Sequence, residues 1–377
     1  MNQRKRKAKL MMETKGHCSQ IDQNSFSVRS QTNLNNHYIV SKTGNGLKCQ
    51  CKDHNCRKAD CKHIKIVLEI IKKNKCYRNN TFRIMERSQL KLCKYCDSGR
   101  LRKDGFRKNK NGKVRIFECL DCKKKFSSNF GFEKMRYNPV LITRALQMYY
   151  SGMSVRDIAD CFEQEEIDVS YRAVYDWVKK YSKMTHNYLK GIVPRVSETW
   201  RTDEIFMKIS GVQKLQYSML DHETRFMITQ YVANTKGTED VTPMFREAMM
   251  IADKIPTTLI SDGAANFHKA WKENYKAKNF LWKDTEHIRH IHMKGDKNNN
   301  RMERLNGTIR DREVSYRGIK KMDSPLFEGF QTFYNFSKKH GGINGKTPAE
   351  MAKIQVDGKN KWKTIIQNAS LYRENSI

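Results

Sequence analysis

The sequence predicts a multidomain α/β protein in which a mixed sheet flanked by helices follows small zinc modules and a helix-turn-helix unit. Three observations carry that prediction. Ten of the 11 cysteines lie before residue 123, and six of them form three pairs with metal-ligand spacing. Residues 138–190 then follow a helical period, and from residue 200 the pattern turns to strands that give way to alternating helix and strand.

Composition sets the class of partner. The 377 residues carry 73 Lys and Arg against 40 Asp and Glu, a formal net charge of +33 and a pI near 9.7. Solubility needs far less, so the excess predicts a polyanion bound with strong salt dependence. Membrane lipid is the competing polyanion. No apolar run approaches the length of a span, and residues 1–10 are basic without a hydrophobic core, so neither membrane insertion nor secretion is expected. A chain of this length is expected to hold more than one domain. A disulfide-stapled module would be one account of the clustered cysteines. Reduced thiolates holding Zn²⁺ in a cytoplasmic protein fit their spacing better.

The first cluster is Cys49-Gln50-Cys51, followed after a basic loop by Cys61-Lys62-His63. Residues 38–47 read as strand and turn and residues 64–71 as a helix, so Cys49, Cys51, Cys61 and His63 can close a tetrahedral Zn²⁺ site from a hairpin and a helix start. The pattern resembles the SWIM zinc finger, a Cys-x-Cys pair followed by Cys-x-His. His54 and Cys56 are spare ligands, and unpaired surface thiols are the plainer reading. The second cluster, Cys93-Lys94-Tyr95-Cys96 and Cys119-Leu120-Asp121-Cys122, forms two C-x-x-C knuckles around a strand-like segment, with Gly105 and Asn111-Gly112 as turn signals. Such knuckles make a zinc ribbon, whose metal only holds a small fold together. Any function there belongs to the basic surface of Arg100, Arg102, Lys103, Arg107, Lys108, Lys110 and Lys123 to Lys125, unless that is simply a solvated face.

The next segment reads as three helices. Pro139 suits a first turn, Ile142, Ala145, Leu146 and Tyr149 recur at helical spacing, and Ser151-Gly152 ends the run. Ser154 with Asp157 offers an N-cap and capping box for a second helix, and Ser170 an N-cap for a third carrying Val174, Trp177 and Val178. This is the order of a helix-turn-helix, whose recognition helix would present Tyr171, Arg172, Tyr175 and Lys179 to the major groove; a plain linking bundle is the alternative.

Beyond residue 194, strands are expected at 200–209, 215–220 and 226–232, a helix at 239–252, a strand at 257–261 and a helix around 267–271. Three antiparallel strands followed by alternating helix and strand is the order of a ribonuclease H-like fold. On that order Asp203 lies on the first strand, Asp262 just after the fourth and Glu303 on a late helix. Two Asp and one Glu suit Mg²⁺ or Mn²⁺, hard ions that take carboxylate oxygens and leave room for a substrate phosphate. Gly263 after Asp262 allows close approach. Met302, Leu305, Ile309 and Tyr316 form a core stripe, while Asn300, Glu303, Gly307 and Arg310 share another face. Taken alone, Glu303 would be a solvated acid. Strand alternation sends Glu204 to the face opposite Asp203. Asp221 is expected to shape a turn, Asp296 and Asp311 to fill loop and ion-pair roles, and His287, His290 and His292 to line a strand or hold a further zinc.

The segments at 200–204, 260–263 and 299–312, with Asn344-Gly345-Lys346-Thr347-Pro348, resemble DDE transposases of prokaryotic insertion sequences and, at the last of them, retroviral integrases. The resemblance spans about residues 196–353 and implies that Asp203, Asp262 and Glu303 are catalytic and bind Mg²⁺ or Mn²⁺. The interval from Asp262 to Glu303 is longer than in the nearest insertion-sequence relatives, which an insertion within 272–297 would explain. The expected domains are 1–85 (basic N-terminus and SWIM-like finger), 86–130 (zinc ribbon), 135–190 (helix-turn-helix), 196–353 (catalytic core) and 354–377 (C-terminal tail). The implied function is a transposase that binds transposon-end double-stranded DNA, cleaves it and joins the freed 3′-hydroxyl to target DNA, with Arg310 orienting phosphate. It would work as a homo-oligomer on DNA, in the cytoplasm at the nucleoid. A transposase-derived regulator without catalysis and a ribonuclease H-like nuclease without joining activity are the alternatives.

Overall fold

The computed structural model describes residues 18–20, 25–29, 37–43, 46–57, 61–68, 81–86, 93–96, 98–109, 112–276, 285–289, 300–313 and 319–371. These fall into two units, one ending at Thr81 and one beginning at Phe82. No helix among the described residues is long and apolar enough to cross a membrane.

The first unit is an antiparallel sheet of β1 (Cys18–Gln20), β2 (Ser25–Arg29), β3 (His37–Thr43) and β4 (Gly46–Cys49), followed by α1 (Lys52–Arg57) and the helical segment 62–68, α2. Phe26, Val28 and Val40 pack with Ile64, Ile66 and Val67 around Cys49, Cys51 and Cys61. So small a core needs a staple. The ligand atoms of Cys49, Cys51, Cys61 and His63 lie within 4.8 Å of one another, and His63 Nδ1 is 3.7 Å from Cys49 Sγ and 3.8 Å from Cys61 Sγ. Ligands at about 2.0–2.3 Å from a tetrahedral zinc stand roughly 3.5–3.8 Å apart, so this donor set fits Zn²⁺. His54 and Cys56 stay outside it.

The second unit opens with β5 (Phe82–Ile84) and a ribbon of β6 (Leu101–Asn109), β7 (Gly112–Cys119) and β8 (Lys125–Ser127), paired in that order. Its knuckles meet with Cys93 and Cys122 sulfurs 3.6 Å apart and those of Cys96 and Cys119 3.5 Å apart. A disulfide would need about 2.0 Å, so these are thiols at the edge length of a zinc tetrahedron. Gly105, expected at a turn, instead sits at a bulge within β6, with φ +82° where the pairing with β7 shifts between Lys103 and Phe106. Several basic side chains expected to be free are paired: Arg100 with Asp121 at 2.9 Å, Lys125 with Asp104 at 2.6 Å, and Arg102 with Glu118. Lys103, Arg107 and Lys108 stay exposed, and Lys110 lies outside the described residues.

Helices α3 (Pro139–Ser151), α4 (Val155–Glu163) and α5 (Tyr171–Leu189) start at the caps foreseen. Asn138 accepts from the Val140 N–H, Ser154 and Asp157 form a capping box, Ser170 accepts from the Ala173 N–H, and Gly152 at φ +119° closes α3. The third helix is far longer than a short recognition helix, because its C-terminal half is a structural strut. Tyr181 is buried in the core shared with Phe330 and Tyr334, and the Tyr150 hydroxyl meets Ser182 Oγ at 2.6 Å. Met302, Leu305 and Ile309 enter this same core, each burial contributing about 1.5–3 kcal/mol.

The large sheet orders as β11-β10-β9-β12-β13, from β9 (Thr199–Ile209), β10 (Val212–Asp221), β11 (Met227–Ala233), β12 (Thr258–Ser261) and β13 (Glu286–Arg289). The first three are antiparallel, and β12 runs parallel to both β9 and β13, which is the ribonuclease H-like arrangement. Helices α6 (Thr238–Ala252) and α7 (Ala265–Asn274) bury Val241, Phe245, Phe267 and Trp271 against one face with Trp200 and Tyr217. On the other face α8 (Asn300–Glu313) and α9 (Pro325–Phe336) join Ile205, Met207 and Ile209. Asp221, fully buried, accepts from the backbone N–H and hydroxyl of both Ser197 and Thr224, the turn role expected of it. The segment read as a tail folds back. After the short α10 (Pro348–Met351), β14 (Ile354–Val356) pairs in parallel with β5, and α11 (Lys361–Ala369) stacks Trp362 on Tyr150.

Removing one zinc centre should leave the other loaded. Elemental analysis of the purified chain is expected to give two zinc ions, and one after Cys61→Ser or Cys119→Ser; two zincs in either variant would contradict the assignment. Burial also makes the fold acid-sensitive. It pushes His186, His222, His287 and His340 down to about 4, so the unfolded chain takes up protons below the ordinary 6.5 that the folded chain refuses. Stability is lost as pH falls from about 6.5 towards 4, offset in part by Asp203 and Glu328, whose carboxyls burial shifts upward. The urea midpoint is expected to drop between pH 7 and pH 5; a flat or rising midpoint would be the contrary result.

Candidate active site

The two parallel neighbours β9 and β12 connect onward to opposite sides of the sheet, β9 to β10 and β12 to β13, which opens a crevice at the carboxyl end of β12. Their pairing runs from Thr199–Thr258 to Arg201–Ile260 and then stops, because β12 ends at Ser261 while β9 continues to Ile209. From Thr202 onward β9 has no strand neighbour on that edge among the described residues. Asp203 stands just past the last pair and Asp262 is the first residue beyond β12, so the two carboxylates meet in the gap.

They are joined there by a third. Oxygens of Asp203, Glu204 and Asp262 lie within 4.8 Å of one another, and Glu303 is outside this group. Alternation does send Glu204 to the face opposite Asp203, but at an open strand edge a long side chain can curl round into the gap. Glu204 Oε1 accepts from Lys236 Nζ at 2.7 Å, and its buried Oε2 has no partner. Hard carboxylate oxygens with an unsatisfied buried lone pair are a donor set that fits Mg²⁺ or Mn²⁺.

The surroundings orient each acid. Asp203 Oδ1 accepts from the Glu204 N–H at 3.0 Å and Oδ2 from Asn306 Nδ2 at 2.8 Å. Burial, then repulsion from Asp262, pushes the Asp203 carboxyl up to about 7 despite these bonds. Asp262 Oδ1 accepts from the Ala264 N–H at 3.1 Å, and Gly263 takes φ +97°, a turn that suits glycine. Arg289 Nε, 3.2 Å away, donates to the Gly263 carbonyl and pins that turn. Ser261 Oγ meets His287 Nε2 at 3.0 Å, and His287 stacks on His268 with Trp271 in contact with both rings. His290 and His292 lie outside the described residues, as do Asp296 and Tyr316.

Glu303 is exposed on the first turn of α8, one turn before Asn306. The amide that meets the acids is Asn306. Arg310 is exposed further along α8. Tyr171, Arg172, Tyr175 and Lys179 are all exposed on α5, with the Arg156 guanidinium 5.5 Å from the Tyr171 ring centre. Sequence reasoning missed Asn306 and Lys236. A buried polar residue beside Leu305 in an apolar stripe was the available signal for the first, and a loop lysine offers none.

Residues 197–340 match the model of the DDE domain family. Over 210 residues the chain is 24% identical to the transposase for insertion sequence-like element IS431mec of Staphylococcus aureus (strain N315), covering 55% of this chain and 89% of that protein. It matches the S. aureus transposase for insertion sequence element IS257 in transposon Tn4003 to the same extent. Among solved structures it is similar to the HTLV-2 integrase catalytic core domain in complex with magnesium, with 15% identity, a TM-score of 0.31, and coverage of 43% of this chain and 98% of that one. Residues 197–340 thus form a DDE domain with an acid cluster at the β9–β12 gap, and the chain is similar to insertion-sequence transposases.

Proposed function

We propose that the protein binds the ends of its own transposable element as double-stranded DNA, cleaves a strand there, and joins the freed 3′-hydroxyl to target DNA, acting as a homo-oligomer in the cytoplasm. The observation that carries this reading is the meeting of Asp203 and Asp262 at the β9–β12 gap. Asp203, Asp262 and Glu303 would hold the divalent ions. When bound, Mg²⁺ or Mn²⁺ polarises the phosphodiester and stabilises the attacking and leaving oxygens.

The chain's own groups do the positioning. Asn306 and the Glu204 N–H fix the Asp203 carboxylate, and the Gly263 turn held by Arg289 fixes Asp262. In the first reaction water adds to phosphorus and the P–O3′ bond breaks, leaving a 3′-hydroxyl and a 5′-phosphate. In the second, that hydroxyl displaces a 3′-oxygen of target DNA, so one phosphodiester replaces another without covalent attachment to protein. Arg310 on α8 would orient a phosphate.

We assign DNA grip to two exposed surfaces. Tyr171, Arg172, Tyr175 and Lys179 on α5 would enter the major groove, and Lys103, Arg107 and Lys108 on the ribbon would meet phosphates. The division into finger, ribbon, helix-turn-helix and catalytic core is a division of labour between holding DNA and cutting it.

Strand transfer with element-end DNA and Mg²⁺ tests the chemistry. Asp262→Asn and Glu303→Gln are each expected to lower product by a factor of about 100 or more. Full activity in either would refute the assignment, and DNA binding by the wild type without any cleavage would favour the regulator. Arg172→Ala is expected to weaken binding and to lower the slope of log affinity against log salt by about 1 if it meets a phosphate, or to relax base preference at one position if it meets a base edge. Unchanged affinity and preference would remove α5 from the interface.

A further inference from the structure

Asp203 and Asp262 are held by neutral N–H donors, whereas Glu204 is held by an ammonium. Its side chain is only 6% exposed, yet one of its oxygens has no partner. A buried acceptor left unpaired costs about 1–3 kcal/mol, so the metal-free arrangement is not one in which this carboxylate is satisfied. Lys236 reaches it from the loop between β11 and α6. That loop is held by Asp240, which accepts from the Thr235 N–H at 3.2 Å and from its hydroxyl, and by Gly237 at the start of α6. The lysine side chain is 54% exposed, so its ammonium can leave for solvent at small cost. Its hydrogen bond to Glu204 chiefly holds its pKa above the ordinary value, and attraction from Asp262 and Asp203 adds to that.

We infer that Glu204 is a metal ligand in addition to the DDE acids, and that Lys236 holds its place in the metal-free enzyme, so that ammonium and divalent cation compete for one carboxylate. This rests on the metal-binding reading of the acid cluster. On metal entry the Glu204 oxygen that faces Lys236 and its orphaned partner both gain a cation, and the lysine is released. The device keeps three clustered carboxylates from repelling one another before the metal arrives, at the expense of weaker metal binding.

The test is Mn²⁺ binding to the full chain without DNA, read from the electron paramagnetic resonance signal of free Mn²⁺. Lys236→Met is expected to tighten binding by roughly threefold or more, because a competing charge a few ångströms from the ion is removed. Lys236→Arg should bind close to the wild type, and Glu204→Gln roughly tenfold more weakly or worse. Unchanged or weaker binding in Lys236→Met, or wild-type binding in Glu204→Gln, overturns the inference. Zinc content and thermal unfolding of each variant report whether it is folded, and Lys236→Arg carries the comparison if Lys236→Met is not. Asp262→Asn separates the two levels. If it loses Mn²⁺ while Glu204→Gln does not, the inference alone fails; if the wild type binds none, the metal reading of the cluster fails with it.

Discussion

The candidate site depends on one short parallel pairing. Three register pairs tie β12 to β9, and the ladder ends at Arg201 and Ile260. Were β12 longer, the edge of β9 at Asp203 and Glu204 would be hydrogen-bonded and covered. Because it stops at Ser261, the chain turns away at Asp262-Gly263 and leaves a notch beside β9. Acids in that notch are desolvated enough for burial, with repulsion from Asp262, to push Asp203 up to about 7, a cost that a bound cation would relieve.

The second constraint is a shared core. Ile142, Leu146, Ile158, Phe162 and Trp177 of α3, α4 and α5 lie in one cluster with Ile205 and Met207 of β9, Met302 and Leu305 of α8 and Phe330 of α9. The helix that presents Tyr171 and Arg172 is thereby continuous, through its buried half, with the helix that carries Glu303 and Asn306. The DNA grip proposed for α5 and the chemistry proposed for β9 would thus share one packed core, and packing rather than a linker would set their spacing. The pairing of β5 with β14 adds to this by closing residues 82–84 onto 354–356.

Much of this was legible in the sequence because it is local. Ser154 with Asp157, Ser170 and Gly152 announce helix ends through bonds made within a few residues, and paired cysteines announce zinc through fixed ligand spacing. Asp203 and Asp262 could be placed because strand order brings their strand ends together. What could not be read depends on distant partners. Alternation assigns Glu204 the correct face, but only the end of β12 lets its side chain curl back into the notch. Arg100 and Arg102 look like free phosphate ligands until the fold brings Asp121 and Glu118 beside them. Lys236 and Asn306 meet the acids across stretches of chain, and nothing near Lys236 in sequence foretells its contact.

The central claim is that the notch between β9 and β12 is where the divalent metal of a strand-cutting enzyme sits. Anomalous X-ray scattering from crystals grown with Mn²⁺ and element-end DNA addresses it most directly. The expected result is manganese density against the carboxylates of Asp203 and Asp262, with a DNA phosphate beside it. Bound DNA with no manganese at those residues, or manganese held elsewhere on the chain, would contradict it.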